Sequence, residues 1–344
     1  MAPRGFDSDA MDIAMLQAMY RDGSVNLAGI DPRLNASRVA KSLKVGRARV
    51  AARLRSWKTS GFLRKYDVWV NPALLGFQGA WVALQVEHPR VKSDLFRRIA
   101  LVDGVVAGMD FVGDWISVGL VVPDSNALAR RAQLLRNLSG VRDLEGPVHW
   151  RVSEPKRRLT ALDVRIVRAL RAAPTATLSE IARQVGISTR TMTRRYGELV
   201  EDWAVWFVPM FDFRALDRTV VSVNLGVEPG TRAEDIGAAL RTRYPLTLDF
   251  ASTSAGPELP PEELVFFTTL DSAAHLEDLE QYLSTTPGVR RVDLYILVQL
   301  LDFPEWFDRH LDSLLPAASP APVRSTTRAR ARRRSAPGRR TKRT

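Results

Sequence analysis

The chain has 344 residues, of which 45% are hydrophobic, with no cysteine and a net charge of +12. At about 100–200 residues per domain this length predicts two to four domains, and without cysteine there are no disulfides, thiolate zinc sites or cysteine nucleophiles. No apolar run reaches the roughly 18 residues of a membrane span, and residues 1–10 lack the apolar core of a signal peptide, so we expect a cytoplasmic protein with no membrane partner.

The first predicted elements are helices within residues 9–57, spaced as in a helix-turn-helix. We expect Asn35 to cap the second helix and Gly46 to stand at the cap position of the third. A stripe at i, i+4 and i+7 predicts the buried side of this third helix: Val50, Leu54 and Trp57. Its opposite side is predicted to point outward and to present Arg47, Arg49 and Arg53.

The pattern of this first half occurs a second time in the chain. The apolar positions of residues 9–57 recur in residues 160–199, and the strand pattern of residues 80–87 recurs at residues 221–228. Such self-similarity is typical of a repeated structural unit. Each unit is predicted as three helices and a wing, which is residues 62–70 in the first copy, followed by strand, helix, strand, strand, helix and strand.

We call the helix-turn-helix part of each unit a reader. The second reader, which includes residues 160–199, has the clearer helix-turn-helix signals. Thr177 and Glu180 are spaced as a capping box, Gly186 can take the positive φ that ends a helix in a tight turn, and Ser188 is a typical N-cap. The corresponding first-half turn position is Lys44, a weaker signal. The buried stripe of the following helix is predicted to be Met192, Tyr196 and Leu199. The outward side presents Thr189, Arg190, Thr193 and Arg194.

These two outward faces predict a contact with double-stranded DNA. The second helix of a helix-turn-helix lies in the major groove with its N-terminal residues at the base edges, where arginine can donate two hydrogen bonds to guanine. We therefore assign DNA binding to the outward residues of both helices together with Ser188. The alternative is that these arginines only solvate an exposed helix face.

The end of the chain carries most of its positive charge. Residues 313–344 contain ten basic residues and no acidic one, which leaves a nearly neutral body. This segment has almost no apolar bulk, so we expect it to be disordered. A polycation of this kind gains affinity for nucleic acid by releasing condensed counterions, so we expect the tail to contact nucleic acid; the alternative is a tail that serves only for solubility.

Several motifs in this order resemble those of the Lrp/AsnC, or feast/famine, transcriptional regulators. The resemblance covers about residues 9–300 in two copies. It rests on the following segments: Leu162-Asp163, Ile166-Val167, residues 178–182, residues 185–188, residues 61–66, Asn71-Pro72, residues 112–115, Val141-Arg142 and Val289-Arg290.

The resemblance implies an α+β fold made of two tandem units, each a winged helix-turn-helix followed by a ferredoxin-like βαββαβ ligand-sensing domain. The expected divisions are residues 1–72 and 154–215 for the readers, 73–153 and 216–312 for the sensors, and 313–344 for the tail. In this family the sensor domains pair and bind small effectors, often amino acids. The resemblance therefore implies an effector site near Gly113 and Asp114, although this pair also suits a simple hairpin turn.

Two departures from the family pattern affect the prediction. The duplication gives one chain two unlike recognition helices, which predicts an asymmetric operator and either an intrachain pseudo-dimer or a homo-oligomer, because operator symmetry follows protein symmetry. The second unit has Ser252–Pro261 in place of the Gly-Asp loop, so an effector site there is not expected.

Two other functions compete with a regulator. Siroheme decarboxylases have a similar architecture, but the four histidines here (His88, His149, His275 and His310) show no catalytic or metal-ligand spacing, and no nucleotide-binding motif appears. We therefore expect no enzyme, no catalytic residue, no metal and no cofactor. A module that binds an effector or a scaffold partner without DNA is the remaining alternative.

Overall fold

The computed structural model describes residues 11–12, 14–15, 35–149, 158–244, 247–253 and 263–315. The side chain of Asn35, most of the Ser252–Pro261 loop and the basic tail beyond residue 315 lie outside the described residues. The fold is α+β, as predicted, and repeats one order of elements twice. No helix in the described ranges is long and apolar enough to cross a lipid bilayer.

The first half begins with helical residues at Met11, Asp12, Ala14 and Met15. The elements that follow are α1 (Asn35–Leu43), α2 (Arg47–Thr59), β1 (Leu63–Val70), β2 (Gln78–Val86), α3 (Lys92–Ile99), β3 (Val105–Phe111), β4 (Trp115–Val122), α4 (Ser125–Arg136) and β5 (Val141–His149).

The second half repeats this order. Its elements are α5 (Ala161–Ala172), α6 (Leu178–Val185), α7 (Thr189–Glu201), β6 (Val205–Phe211), β7 (Thr219–Val227), α8 (Ala233–Arg243), β8 (Thr247–Thr253), β9 (Glu263–Leu270), α9 (Leu276–Ser284), β10 (Val289–Asp302) and α10 (Glu305–Ser313).

The sensor strands of both halves form one eight-stranded sheet in the order β5-β2-β4-β3-β10-β7-β9-β8. Each half contributes the strand order of a βαββαβ unit. The halves are joined by β10, which pairs antiparallel with β7 along its first part and with β3 along its second part. The sheet curls so that its edge strands β5 and β8 come into contact. The long strand β10 thus leaves neither half with an open edge at the junction.

Alternation along the strands explains how this sheet is covered. In β2, for example, Ala80, Val82, Leu84 and Val86 are buried in a core shared with α3 and α4. A matching core lies under α8 and α9 in the second half. The opposite face of the sheet joins a third core that also contains the readers. Because successive side chains of a strand point to opposite faces of the sheet, both faces of each strand are at least partly packed.

The wing strands pair with each other rather than forming separate hairpins. β1 and β6 make a two-stranded antiparallel ribbon in which Val68 lies opposite Phe207 and Val70 opposite Val205. Each reader was predicted to carry its own wing, but each contributes only one strand. Because a single strand leaves its backbone groups unpaired, the ribbon holds the two readers together.

Helix α10 fastens the second reader to the sheet. Trp306 and Phe307 are buried in the reader core, and the Trp306 ring meets Phe77 edge to face at 4.9 Å. Arg171 of α5 donates from Nε to Asp308 at 2.7 Å and from Nη2 to the Pro304 carbonyl at 3.2 Å. This helix therefore contacts both α5 and the sheet.

Two buried carboxyl groups meet at the same junction. The Asp302 side chain, at the end of β10, is only 3% exposed and accepts a hydrogen bond from Lys65 Nζ at 2.6 Å. Its neighbour is Asp67 of β1, whose oxygens accept from the Val68 amide and from Trp69 Nε1. Arg171 Nη1 lies 3.9 Å from the Asp67 carboxylate. Burial and the adjacent Asp67 carboxyl raise the pKa of Asp302 to about 8, although Lys65 opposes this rise.

We predict that the buried Asp302 carboxyl makes the free energy of unfolding fall as the pH rises from about 4 to about 8. The folded chain keeps a proton on Asp302 that the unfolded chain releases near its ordinary pKa, so stability is lost as the pH approaches the folded pKa. Asp302→Asn should flatten this dependence in urea unfolding series, whereas the exposed control Asp235→Asn should not. Equal pH slopes for Asp302→Asn and the parent would contradict the assignment.

Candidate nucleic-acid interface

The second reader has the local hydrogen bonds that its sequence predicts. Thr177 Oγ1 accepts from the Glu180 amide at 3.3 Å, and the Glu180 carboxylate accepts from the Thr177 amide at 2.7 Å, which completes the capping box. The hydrogen bonds from the backbone and side chain of Thr177 lower the pKa of Glu180. Ser188 Oγ accepts from the Thr191 amide at 3.2 Å and so caps α7. These caps set where both helices begin.

The turn between α6 and α7 is a tight one. Gly186 has φ 77°, in the left-handed region, and the Ile187 amide donates to the Ala182 carbonyl at 2.9 Å. Beyond the turn, Met192, Tyr196 and Leu199 are buried, as predicted. Since these three residues hold one side of α7 against the core, its other side must face outward.

That outward side is exposed at each predicted polar position. These positions are Thr189, Arg190, Thr193 and Arg194, together with the capping Ser188. Arg194 Nη1 lies 2.7 Å from Glu198 one turn later. Among the described residues, no ion pair holds the Arg190 guanidinium. This guanidinium therefore remains available at the N-terminal end of α7.

The first reader repeats this geometry. The Val45 amide donates to the Ala40 carbonyl at 2.9 Å, which matches the turn of the second reader. Gly46 stands at the N-cap of α2 without a side-chain hydrogen bond, and Val50 and Trp57 are buried. Arg47 and Arg49 are exposed, as predicted. Two further exposed cations, Arg55 and Lys58, extend this basic side of α2 and were not predicted.

Arg53 differs from the prediction, because it does not point freely outward. Its Nε donates to Asp12 Oδ1 at 2.5 Å, and its Nη2 pairs with the other oxygen of this buried carboxylate. Trp57 Nε1 also donates to Asp12, at 2.6 Å. The repeat could have revealed this pairing, because Asp163 occupies the position of Asp12 and lies 3.7 Å from Arg195. A buried carboxylate needs such a partner.

Positive φ values occur at matching points of the two readers. Lys44 has φ 55° where the second reader has Gly186, and Trp203 has φ 54° where the first reader has Gly61. Each reader therefore has two turns with a positive φ, and in each reader one of these turns has a residue other than glycine. A left-handed residue with a side chain costs roughly 1–2 kcal/mol.

The predicted effector loop connects two antiparallel strands. Gly113 has φ 88° and is exposed between β3 and β4, and the Asp114 carboxylate accepts from Gln85 Nε2 at 2.9 Å. A side chain at residue 113 would meet no neighbouring atom, so glycine serves the backbone conformation there. The loop therefore has the hairpin geometry that the sequence allowed.

The described residues contain no cluster of three or more His, Asp or Glu side chains that could hold a metal. His310 stacks on Trp306 at 3.8 Å.

A separate charged cluster lies on the face of the sheet opposite α9, where Arg291 pairs with Glu263 at 2.7 Å and with Asp293 at 2.8 Å. Nearby, burial and the surrounding carboxylates raise the pKa of Tyr295 to about 12.

Comparison with known proteins confirms the nature of the second reader. Residues 159–200 match the family model of the AsnC-type helix-turn-helix domain. The chain thus carries an AsnC-type helix-turn-helix domain, and the resemblance to the Lrp/AsnC regulators is confirmed there. No match was found among the curated proteins.

One solved structure with a TM-score of 0.50 shares the fold over most of the chain, and two further matches have lower scores. The siroheme decarboxylase NirDL is 15% identical, with 89% of this chain and 98% of that chain covered and a TM-score of 0.50. NirDL in co-complex with an iron-uroporphyrin III analogue is 14% identical, with coverages of 88% and 99% and a TM-score of 0.48. E. coli AsnC is 16% identical, with 44% of this chain and 97% of that chain covered and a TM-score of 0.28.

The prediction that the chain is not an enzyme was wrong. It rested on the spacing of the histidines, but the fold of a solved enzyme extends over 89% of this chain. Since unrelated activities share folds, this likeness shows the fold alone and does not name a reaction.

We predict that Lys44→Gly stabilises the chain by roughly 0.5–1 kcal/mol. Glycine takes the left-handed conformation without the Cβ clash, and this gain exceeds the entropy that glycine adds to the unfolded chain. The measurement is the urea unfolding midpoint at constant m value. Lys41→Gly, in the last turn of α1, is the control and should destabilise; a loss of stability in Lys44→Gly would show that the turn is not strained.

Proposed function

We propose that the chain is a sequence-specific, DNA-binding transcriptional regulator whose recognition helices are α2 and α7. The observation that carries this proposal is the N-terminal half of α7. There, Arg190 and Arg194 stand exposed above the buried stripe within a domain that matches the AsnC-type helix-turn-helix model. A helix of this kind enters the major groove with these residues at the base edges.

The two readers would bind one duplex as a unit. Their shared ribbon fixes their relative placement, so the single chain has the paired readers that a dimer would otherwise supply. Its halves differ in sequence, and the operator should therefore lack two-fold symmetry. In this proposal the basic tail also contacts DNA. Copies of the chain can also assemble further.

An amino-acid effector would act through the sheet. The proposed site is the loop at Gly113 and Asp114, where the exposed glycine lets a carboxylate approach the backbone closely and the aspartate can accept from an α-amino group. The loop is continuous with β3, and β3 pairs with β10, which ends at the Asp302 junction and α10. An effector can change DNA affinity only by the difference in its own affinity for the two arrangements.

We expect Arg190→Ala with Arg194→Ala to weaken specific DNA binding by about tenfold or more. Each lost contact to a base edge costs roughly 1–3 kcal/mol. The full chain is first used to select bound duplexes from a random pool at physiological salt, and the affinity of each variant is then measured on the enriched duplex. Arg130→Ala with Arg142→Ala, which removes the same charge from exposed sensor positions, should bind like the parent. Normal binding by the Arg190 and Arg194 variant would refute the assignment of α7.

An enzyme acting on a tetrapyrrole is a second candidate, favoured by the fold shared with a siroheme decarboxylase. It predicts that iron-uroporphyrin III titrated into the purified full chain gives a saturable shift of its strongest absorption band. Ovalbumin at equal concentration controls for non-specific uptake. A linear, unsaturable change would count against this candidate, and saturable binding that DNA does not affect would favour it.

A further inference from the structure

The recognition helices α2 and α7 can be compared position by position. Their turns have the same hydrogen bond, their positive φ values coincide, and Arg53 and Arg195 both reach back to an aspartate of the first helix. Val50 and Met192 are buried at the same point of the two helices. Residues of α2 and α7 that occupy equivalent places therefore face DNA in the same way.

The two outward faces differ in the types of residue that they present. Where α7 has Arg190, Thr193 and Arg194, α2 has Ala48, Ala51 and Ala52. Where α2 has Arg47 and Arg49, α7 has threonines, and the other exposed cations of α2 lie further along, at Arg55 and Lys58. The centre of the outward face is thus polar in α7, whereas in α2 it lacks hydrogen-bonding side chains.

This difference changes which groups of the DNA each helix can contact. An alanine has no donor or acceptor, so the centre of α2 cannot hydrogen-bond to any base edge. The cations that surround it are suited to phosphates, which position a protein on the duplex but carry no sequence information. In α7, by contrast, the central arginines can donate to guanine, and Arg190 is the one without an ion pair in the described part of the chain.

We infer that the readers divide the task, with α7 specifying the sequence and α2 anchoring the adjacent turn of DNA through phosphates. This inference rests on the proposed function. The specificity-determining residues are Arg190, Thr193 and Arg194, and the anchoring residues are Arg47, Arg49, Arg55 and Lys58. The operator then contains one informative half-site, flanked by about one helical turn, or roughly 10 base pairs, that is occupied without being read.

The first test compares the enriched motif with the length of DNA that the full chain covers. Hydroxyl-radical footprinting on an enriched duplex should show protection that extends about 10 base pairs beyond the motif on one side. Protection limited to the motif would mean that α2 does not contact DNA. Two informative half-sites would mean that α2 also reads bases, and either result overturns the inference.

The second test uses two matched variants. Arg47→Ala, Arg49→Ala and Arg55→Ala together should weaken binding to all sequences alike and lower the slope of log affinity against log salt by about three, while the motif stays unchanged. Arg190→Ala with Arg194→Ala should instead abolish the motif, with at least tenfold loss on the enriched duplex. A changed motif in the first variant would contradict the division.

The third test transplants the face of α7 onto α2. Ala48→Arg, Ala51→Thr and Ala52→Arg place the same side chains at equivalent positions, none of which is buried. Selection with this variant should enrich a second half-site like the first, and circular dichroism checks its folding. If the variant folds but its motif keeps one half-site, the equivalence is refuted. Failure of the parent chain to enrich any motif would instead refute the proposed function itself.

Discussion

The pairing of strands between the two halves is the constraint on which the rest of the structure depends. Each half alone would leave β1 or β6 unpaired and an open edge beside β3 or β10, and unpaired backbone groups at an edge are costly when buried and prone to association when exposed. The β1–β6 ribbon and the β3–β10 junction remove both problems within one chain. The readers are consequently held on a common frame and cannot adjust independently to DNA.

The same frame connects the readers to the sheet. Asp67 lies on the ribbon, Asp302 lies at the end of β10, and Arg171 ties the first helix of the second reader to α10. Because this cluster is buried, its charges cannot be redistributed without moving the elements that carry them. The cluster therefore makes direct contacts between the sheet, the ribbon and the second reader.

Much of the reader structure was predictable because its signals are local. The capping box at Thr177, the left-handed Gly186 and the stripe through Met192 depend on neighbours within one or two helical turns, and all three are found as predicted. The partner of Arg53 was missed because it lies 41 residues away, on another helix. The exclusion of an enzyme failed for another reason, since it rested on the spacing of residues, whereas the finding against it is a fold shared with a solved enzyme.

The sequence by itself determined the duplication, the order of helices and strands within each unit, the turns of the two helix-turn-helix motifs and the different residues on α2 and α7. These properties follow from periodicity, capping and residue type, which act over short distances. Only the tertiary structure decided that the wings share a ribbon, that β10 joins the two sheets, that Lys44 takes a left-handed conformation and that Asp302 is buried beside Asp67. Strand partners and buried charges are set by which surfaces remain uncovered after local structure forms, and this is a property of the whole chain.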